Sequence, residues 1–260
     1  MKMSAVEIAT VMDARDRVGR CHQSAAPRGL PAYFRSGQAD LAQLRSLCPL
    51  PDTAHELRCV AKSLGAPENR IVLGKDATEA RIKALSANGA LARYRVLHFA
   101  THGLLAGEAE RMIFARAEPA LVLTPPNEGT DAKALADDDG LLTASEIAAL
   151  KLDADWVILS ACNTAAGGAK SSEALSGLAR PFFYAGARAL LVSHWEVYSE
   201  AAVKLTTRAF AELRRAEAAR APIGRAEAMR LSMRALIGQG GFAAHPSYWA
   251  PFVVVGEGGQ

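Results

Sequence analysis

Three short apolar runs constrain this chain more than any other feature: YRVLHFA at 94–100, WVILS at 156–160 and RALLVS at 188–193. Their hydrophobic residues are consecutive rather than alternate, as in strands covered on both faces. Amphipathic segments lie between them. Strands alternating with helices indicate an α/β fold with a mostly parallel sheet and helices on both faces. A final strand is expected at 252–255, and short ones at 70–73 and 120–123.

The helix boundaries are written in capping patterns. Thr53 and Glu56 have T-x-x-E spacing ahead of Leu57, Val60, Ala61 and Leu64, and Gly65 ends that segment. Asp76 with Glu79, and Thr143 with Glu146, repeat the pattern. Pro181 is expected to kink the helix through Leu175, Leu178, Phe182 and Phe183. Amphipathic helices are expected near 201–218 and 225–236. Residues 1–47, broken by Gly19, Pro27, Gly29, Pro31 and Gly37, read as an N-terminal extension or linker, and 48–260 as the folded domain.

Composition excludes several classes. Half of the 260 residues are hydrophobic and 22% are charged, an ordinary globular mixture. The formal charge of +3 does not by itself imply nucleic acid. The segment 204–234 holds eight basic and three acidic residues, which reads first as a solvated helical face. The most apolar stretch, 182–195, is interrupted by Arg188 and His194 and falls short of a membrane span of about 20 residues. The amino-terminal residues have no signal-peptide pattern, so a cytoplasmic location is the expectation. Four cysteines (Cys21, Cys48, Cys59, Cys162) are too few for a disulfide scaffold and lack paired metal spacing. The phosphate-loop, G-x-S-x-G and EF-hand spacings are absent, so no metal or cofactor is expected.

Parallel sheets place their sites at the carboxyl ends of strands. The first strong strand delivers Thr101, His102 and Gly103, and the second Ala161, Cys162 and Asn163. A thiol and an imidazole on neighbouring strand ends are the minimum apparatus for thiol acyl transfer. The imidazole takes the thiol proton, the thiolate attacks a carbonyl, and the imidazole then protonates the leaving amine. The Gly103 amide is a candidate donor to the developing oxyanion. Against this stands the ordinary reading, in which a cysteine after a buried strand is a small hydrophobe. His98 sits mid-strand and reads as a buried hydrogen-bonding residue that orients the site from behind His102.

The blocks HFATHG at 98–103 and LSACNT at 159–164 resemble the signature of the CHAT domain, a caspase-like module often attached to tetratricopeptide repeats and related to separase. The similarity continues through DGLLTASEIAALKL at 139–152, EALSGLARPFFYAGARALLVSHW at 173–195 and HPSYWAPFVVVGE at 245–257. It covers about residues 48–257. The resemblance implies a caspase-like three-layer sandwich and cysteine endopeptidase chemistry, with Cys162 as nucleophile, His102 as base and acid, and Gly103 beside it. It also implies a protein or peptide substrate, a repeat-containing or other regulatory partner, and a prokaryotic signalling, defence or stress role.

In separase-like relatives, acidic residues after the tryptophan help to bind a basic P1 side chain. Here that segment is Trp195-Glu196-Val197-Tyr198-Ser199-Glu200, without the aspartate that many relatives carry at the position of Tyr198 or Ser199. Glu196, Tyr198 and Glu200 are therefore the candidate substrate-binding residues. A period of about 34 residues, the mark of tetratricopeptide repeats, is absent. A non-enzymatic scaffold on the same fold, a hydrolase or acyltransferase acting on a non-peptide carbonyl, and nucleic-acid binding through 204–234 are the competing readings. The 124–140 loop is a candidate for control by autoprocessing.

Overall fold

A computed structural model describes residues 5–9, 34–35, 38–39, 41–47, 50–104, 118–127, 138–160, 177–195 and 197–259. Six strands form the main sheet: β1 (Ala5–Ala9), β4 (Ile71–Val72), β5 (Val96–Ala100), β9 (Trp156–Ser160), β10 (Ala189–Ser193) and β11 (Phe252–Gly256). Their order is β11-β10-β9-β5-β1-β4, and every pairing is parallel except the antiparallel β10–β11 edge. A second, antiparallel sheet joins β6 (Gly103–Leu104), β7 (Ala120–Val122) and β8 (Leu141–Thr143). A two-stranded ribbon joins β2 (Phe34–Arg35) and β3 (Gln38–Ala39). The helices are α1 (Leu41–Ser46), α2 (Pro51–Leu64), α3 (Glu79–Ala87), α4 (Ala144–Ala149), α5 (Ala179–Ala185), α6 (Ser199–Ala218), α7 (Arg225–Gly238) and α8 (Pro246–Trp249).

Period-two alternation sends the central strands' side chains into two separate cores. Val96, Trp156, Ile158, Ala189 and Leu191 pack against Leu205 and Phe210 of α6 and Met229 of α7. Leu97, Phe99, Val157, Leu159, Leu190 and Val192 pack against Ile82 of α3, Ile147 of α4 and Phe182 of α5. Phe99 meets Phe182 at 5.6 Å between ring centroids, and Trp156 meets Phe210 at 5.1 Å. Burying an aromatic side chain of this size stabilises the fold by about 1.5–3 kcal/mol. These two ring pairs tie α5 to β5 and α6 to β9. The result is a mixed α/β protein built on a largely parallel sheet.

Several local expectations change. β1 comes from the segment expected to be an extension, yet it lies inside the sheet, paired with β5 over Ala5–Ala9 and with β4. A five-residue strand with the charged Glu7 at its centre has too short an apolar pattern to stand out. Pro181 falls in the first turn of α5, where the missing N–H costs nothing, so it starts the helix rather than kinking it. Thr53 and Glu56 do not cap α2. Its N-cap is Leu50, and the Thr53 hydroxyl donates to the Leu50 carbonyl at 2.6 Å. Thr78, not Asp76, caps α3, accepting from the Arg81 N–H at 3.2 Å. The Thr143–Glu146 capping box of α4 forms with both of its reciprocal bonds. In the basic segment, Lys204, Arg208, Arg215 and Arg230 each pair with a glutamate three or four residues away.

Candidate active site

The site begins where β5 ends. Thr101 is buried, and its hydroxyl donates to the Val122 carbonyl of β7. One residue on, the Val122 N–H donates to the His102 carbonyl at 2.9 Å. The backbone around the half-buried His102 is therefore held by the main sheet on one side and by β7 on the other. Gly103 pairs with Leu121, and the bond from Val122 to His102 flanks that pair. In an antiparallel ladder this makes Gly103–Leu121 a non-hydrogen-bonded pair. The ladder thus leaves the Gly103 N–H unused by β7.

The small sheet has its own support. Glu79 on α3 is buried, and its Oε2 accepts from the N–H groups of Asp139 (2.9 Å) and Gly140 (3.2 Å), just before β8. Lys83 bridges Glu79 at 2.5 Å and Glu146 at 2.7 Å. Burial pushes the Glu79 carboxyl up to about 8, against the pull of Lys83. Gly140 has φ +83, and a Cβ there would stand 2.8 Å from Pro125 Cα, so only glycine allows this approach.

β9 runs beside β5 in parallel, with Ala100 level with Ser160. The exits that lead to His102 and towards Cys162 are therefore neighbours on one edge. Cys162 itself lies outside the described residues, as do Glu196, Cys21 and Cys48. Most of the 124–140 loop lies outside them too.

His98 is fully buried, mid-strand on β5. Its Nε2 lies 3.0 Å from Glu56 Oε1 on α2, an ion-pair distance off the line of the ring N–H. The other Glu56 oxygen accepts from the Ser160 hydroxyl at 3.1 Å. Reading Glu56 as a cap missed this. The available signal was its place in the apolar stripe with Leu57, Val60 and Ala61, where a charged residue needs a buried partner.

Beyond β10, Tyr198 and Glu200 sit near the start of α6. Tyr198 is exposed, stacks on Tyr248 at 5.7 Å and meets the edge of Phe242 at 5.5 Å. Glu200 pairs with Lys204 at 2.6 Å. Its hydrogen bonds with Lys204, and then with the Tyr248 hydroxyl, hold its carboxyl below the ordinary range. Burial, reinforced by Glu200, pushes the Tyr248 phenol up to about 12. The negative charge of Glu200 is thus already shared inside the protein.

A cysteine–histidine contact is present on α2, where Cys59 Sγ lies 3.4 Å from His55 Nε2. The two residues are one helical turn apart, on a helix whose interior N–H groups are spent on the backbone and so supply no oxyanion donor. Among the described residues, no group of three or more histidine, cysteine, aspartate or glutamate side chains is placed to hold a metal. A small cavity lined by Val96, Trp156 and Phe210 lies at the opposite, amino-terminal end of the strands.

An α/β sheet that presents a braced histidine–glycine turn beside a second strand exit is the frame of this protein. Residues 3–257 match the CHAT domain, and the chain belongs to that family. It is 29% identical over 239 residues to tetratricopeptide repeat protein 28 of Mus musculus, covering 80% of this chain and 9% of that protein. To the Homo sapiens protein of the same name it is 28% identical, covering 80% of this chain and 8% of the relative. The chain thus spans less than a tenth of the length of these relatives. Among solved structures, the Arg-specific cysteine proteinase gingipain R aligns with a TM-score of 0.45 and 10% identity, over 98% of this chain and 46% of that one. Among the described residues, no helix is long and apolar enough to cross a membrane.

Proposed function

We propose that this protein is a cysteine endopeptidase with a caspase-like three-layer arrangement, using Cys162 as nucleophile and His102 as base and acid. The observation that carries the reading is the parallel register of β5 and β9, which sets Ala100 beside Ser160, two residues before each member of the dyad. Membership of the CHAT family supports it.

The chemistry follows from the residues. His102 takes the Cys162 proton, and the thiolate adds to the peptide carbonyl. The Gly103 N–H donates to the oxyanion. As the C–N bond breaks, the His102 imidazolium gives its proton to the departing amine, leaving a thioester on Cys162. His102 then deprotonates a water that attacks the thioester, releasing the carboxylic acid and restoring the thiol. A braced His102 turn favours this cycle because a misplacement of about 1 Å costs about a hundredfold in rate.

Glu196, Tyr198 and Glu200 are the proposed specificity residues. A basic P1 side chain would compete with Lys204 for Glu200, while Tyr198 offers it an aromatic face. The relatives' repeat-bearing name supports a repeat-containing regulatory partner. The alternative is a non-enzymatic interaction module, favoured by the charge pairing of Glu200 and the exposed Tyr198 and Phe242 rings. The deciding experiment incubates wild type and Cys162→Ala with a diverse peptide library, read by mass spectrometry. Cleavage by the wild type alone supports the peptidase. Absence of cleavage by folded wild type, with repeat-domain partners included, leaves the interaction module.

A further inference from the structure

We infer that Glu56 is a positioning residue for the dyad, a carboxylate that ties together the two strands from which His102 and Cys162 emerge. The inference rests on the peptidase reading above. Glu56 projects from α2 with 1% of its side chain exposed. One oxygen lies 3.0 Å from His98 Nε2 on β5, and the other accepts from the Ser160 hydroxyl on β9 at 3.1 Å. His98 is four residues before His102, and Ser160 is two before Cys162. A single side chain on a third element therefore contacts β5 and is hydrogen-bonded to β9, just below the edge where the chemistry would occur.

Packing alone does not account for the arrangement. The α2 stripe around Glu56 is apolar, with Leu57, Val60 and Ala61 buried beside it. A leucine at this position would match that stripe, whereas a buried carboxylate is costly unless well compensated. Among the described residues, Glu56 Oε1 and both His98 ring nitrogens have no aligned hydrogen-bond partner. Such a half-satisfied polar cluster is a poor device for stability and a reasonable one for geometry. Pulling β5 and β9 towards one point fixes the lateral spacing of their exits, and with it the reach from imidazole to thiol.

The test compares wild type, Glu56→Leu, Glu56→Gln, Ser160→Ala and His102→Ala. Two quantities are read: the rate of Cys162 alkylation by iodoacetamide, followed by peptide mass spectrometry, and kcat and KM on a cleaved library peptide. Glu56→Leu is expected to melt at or above the wild-type temperature, yet to lose tenfold or more in both kcat and alkylation rate, with KM within threefold. Glu56→Gln, which keeps the acceptor for Ser160, is expected to recover most of that loss. If Glu56→Leu fails to fold, Ser160→Ala decides, with an expected loss of threefold or more. Wild-type rates in Glu56→Leu, or in Ser160→Ala where that variant decides, overturn the inference while leaving the peptidase reading intact, provided His102→Ala is slow. Equal alkylation in wild type and His102→Ala, with no cleavage by either, overturns both.

Discussion

Glu79 makes the stability of the small sheet depend on pH, in a direction opposite to that of an ordinary salt-bridged carboxylate. Burial raises its carboxyl from 4.5 to about 8. A carboxyl with a raised pKa holds its proton more tightly in the folded protein. The stability it confers is complete below about pH 4.5 and is lost as pH climbs towards 8. Each pKa unit corresponds to about 1.4 kcal/mol, and the value near 8 already includes the opposing pull of Lys83. A loss of about 2 kcal/mol between pH 5.5 and 7.5 is the expected scale. For a domain of this size that is a fall in melting temperature of about 4–8 °C. Glu79→Gln keeps the side chain's shape, removes the titration and should flatten most of the slope. Burial also raises Asp138 and Asp139, which leave a shallower slope of the same sign. Burial works against ionisation of Glu146 too, but its bonds from Lys83 and Thr143 prevail and hold it below 4.5, so its contribution is lost only at more acidic pH. The assay is calorimetry of both proteins across this range. A wild-type melting temperature that stays flat or rises from pH 5.5 to 7.5, or an unchanged slope in Glu79→Gln, would refute the reasoning.

Two further outcomes follow from named contacts. Thr101→Val removes the hydroxyl bonded to the Val122 carbonyl and should cost about 1–2 kcal/mol by urea unfolding. It should also slow any Cys162-dependent cleavage, because the His102 turn loses one of its ties to β7; unchanged turnover would argue against that bracing. Gly186→Ala places a Cβ 2.4 Å from the Leu152 carbonyl at a residue with φ +110. It should destabilise the protein by about 2 kcal/mol or more, and a neutral result in the same unfolding assay would contradict the local geometry.

Much of the frame was legible in the sequence because the central strands are apolar at consecutive positions. β5, β9 and β10 could be read directly, and so could the placement of His102 at a strand exit. The Thr143–Glu146 box was legible because both of its partners are local. Glu56 and Glu79 carry the same local spacing, but tertiary partners claim them: His98 and Ser160 for one, the Asp139 and Gly140 N–H groups for the other. Local spacing records which bonds are available nearby, not which distant groups compete for them. β1 escaped for the opposite reason. Its pattern is short, and its place is set by long-range pairing with β5 and β4. The pairing of Glu200 with Lys204 was open to an i,i+4 reading, whereas the aromatic stack of Tyr198 on Tyr248 spans fifty residues and left no local trace.

The most direct test of the central claim is acid-quenched intact-protein mass spectrometry of the wild type mixed with a cleaved peptide. A transient adduct with the mass of the peptide's amino-terminal fragment less one water is expected, mapped to Cys162 and absent from His102→Ala. Cleavage without an adduct on Cys162, or an adduct that maps to Cys59 beside His55, would contradict it.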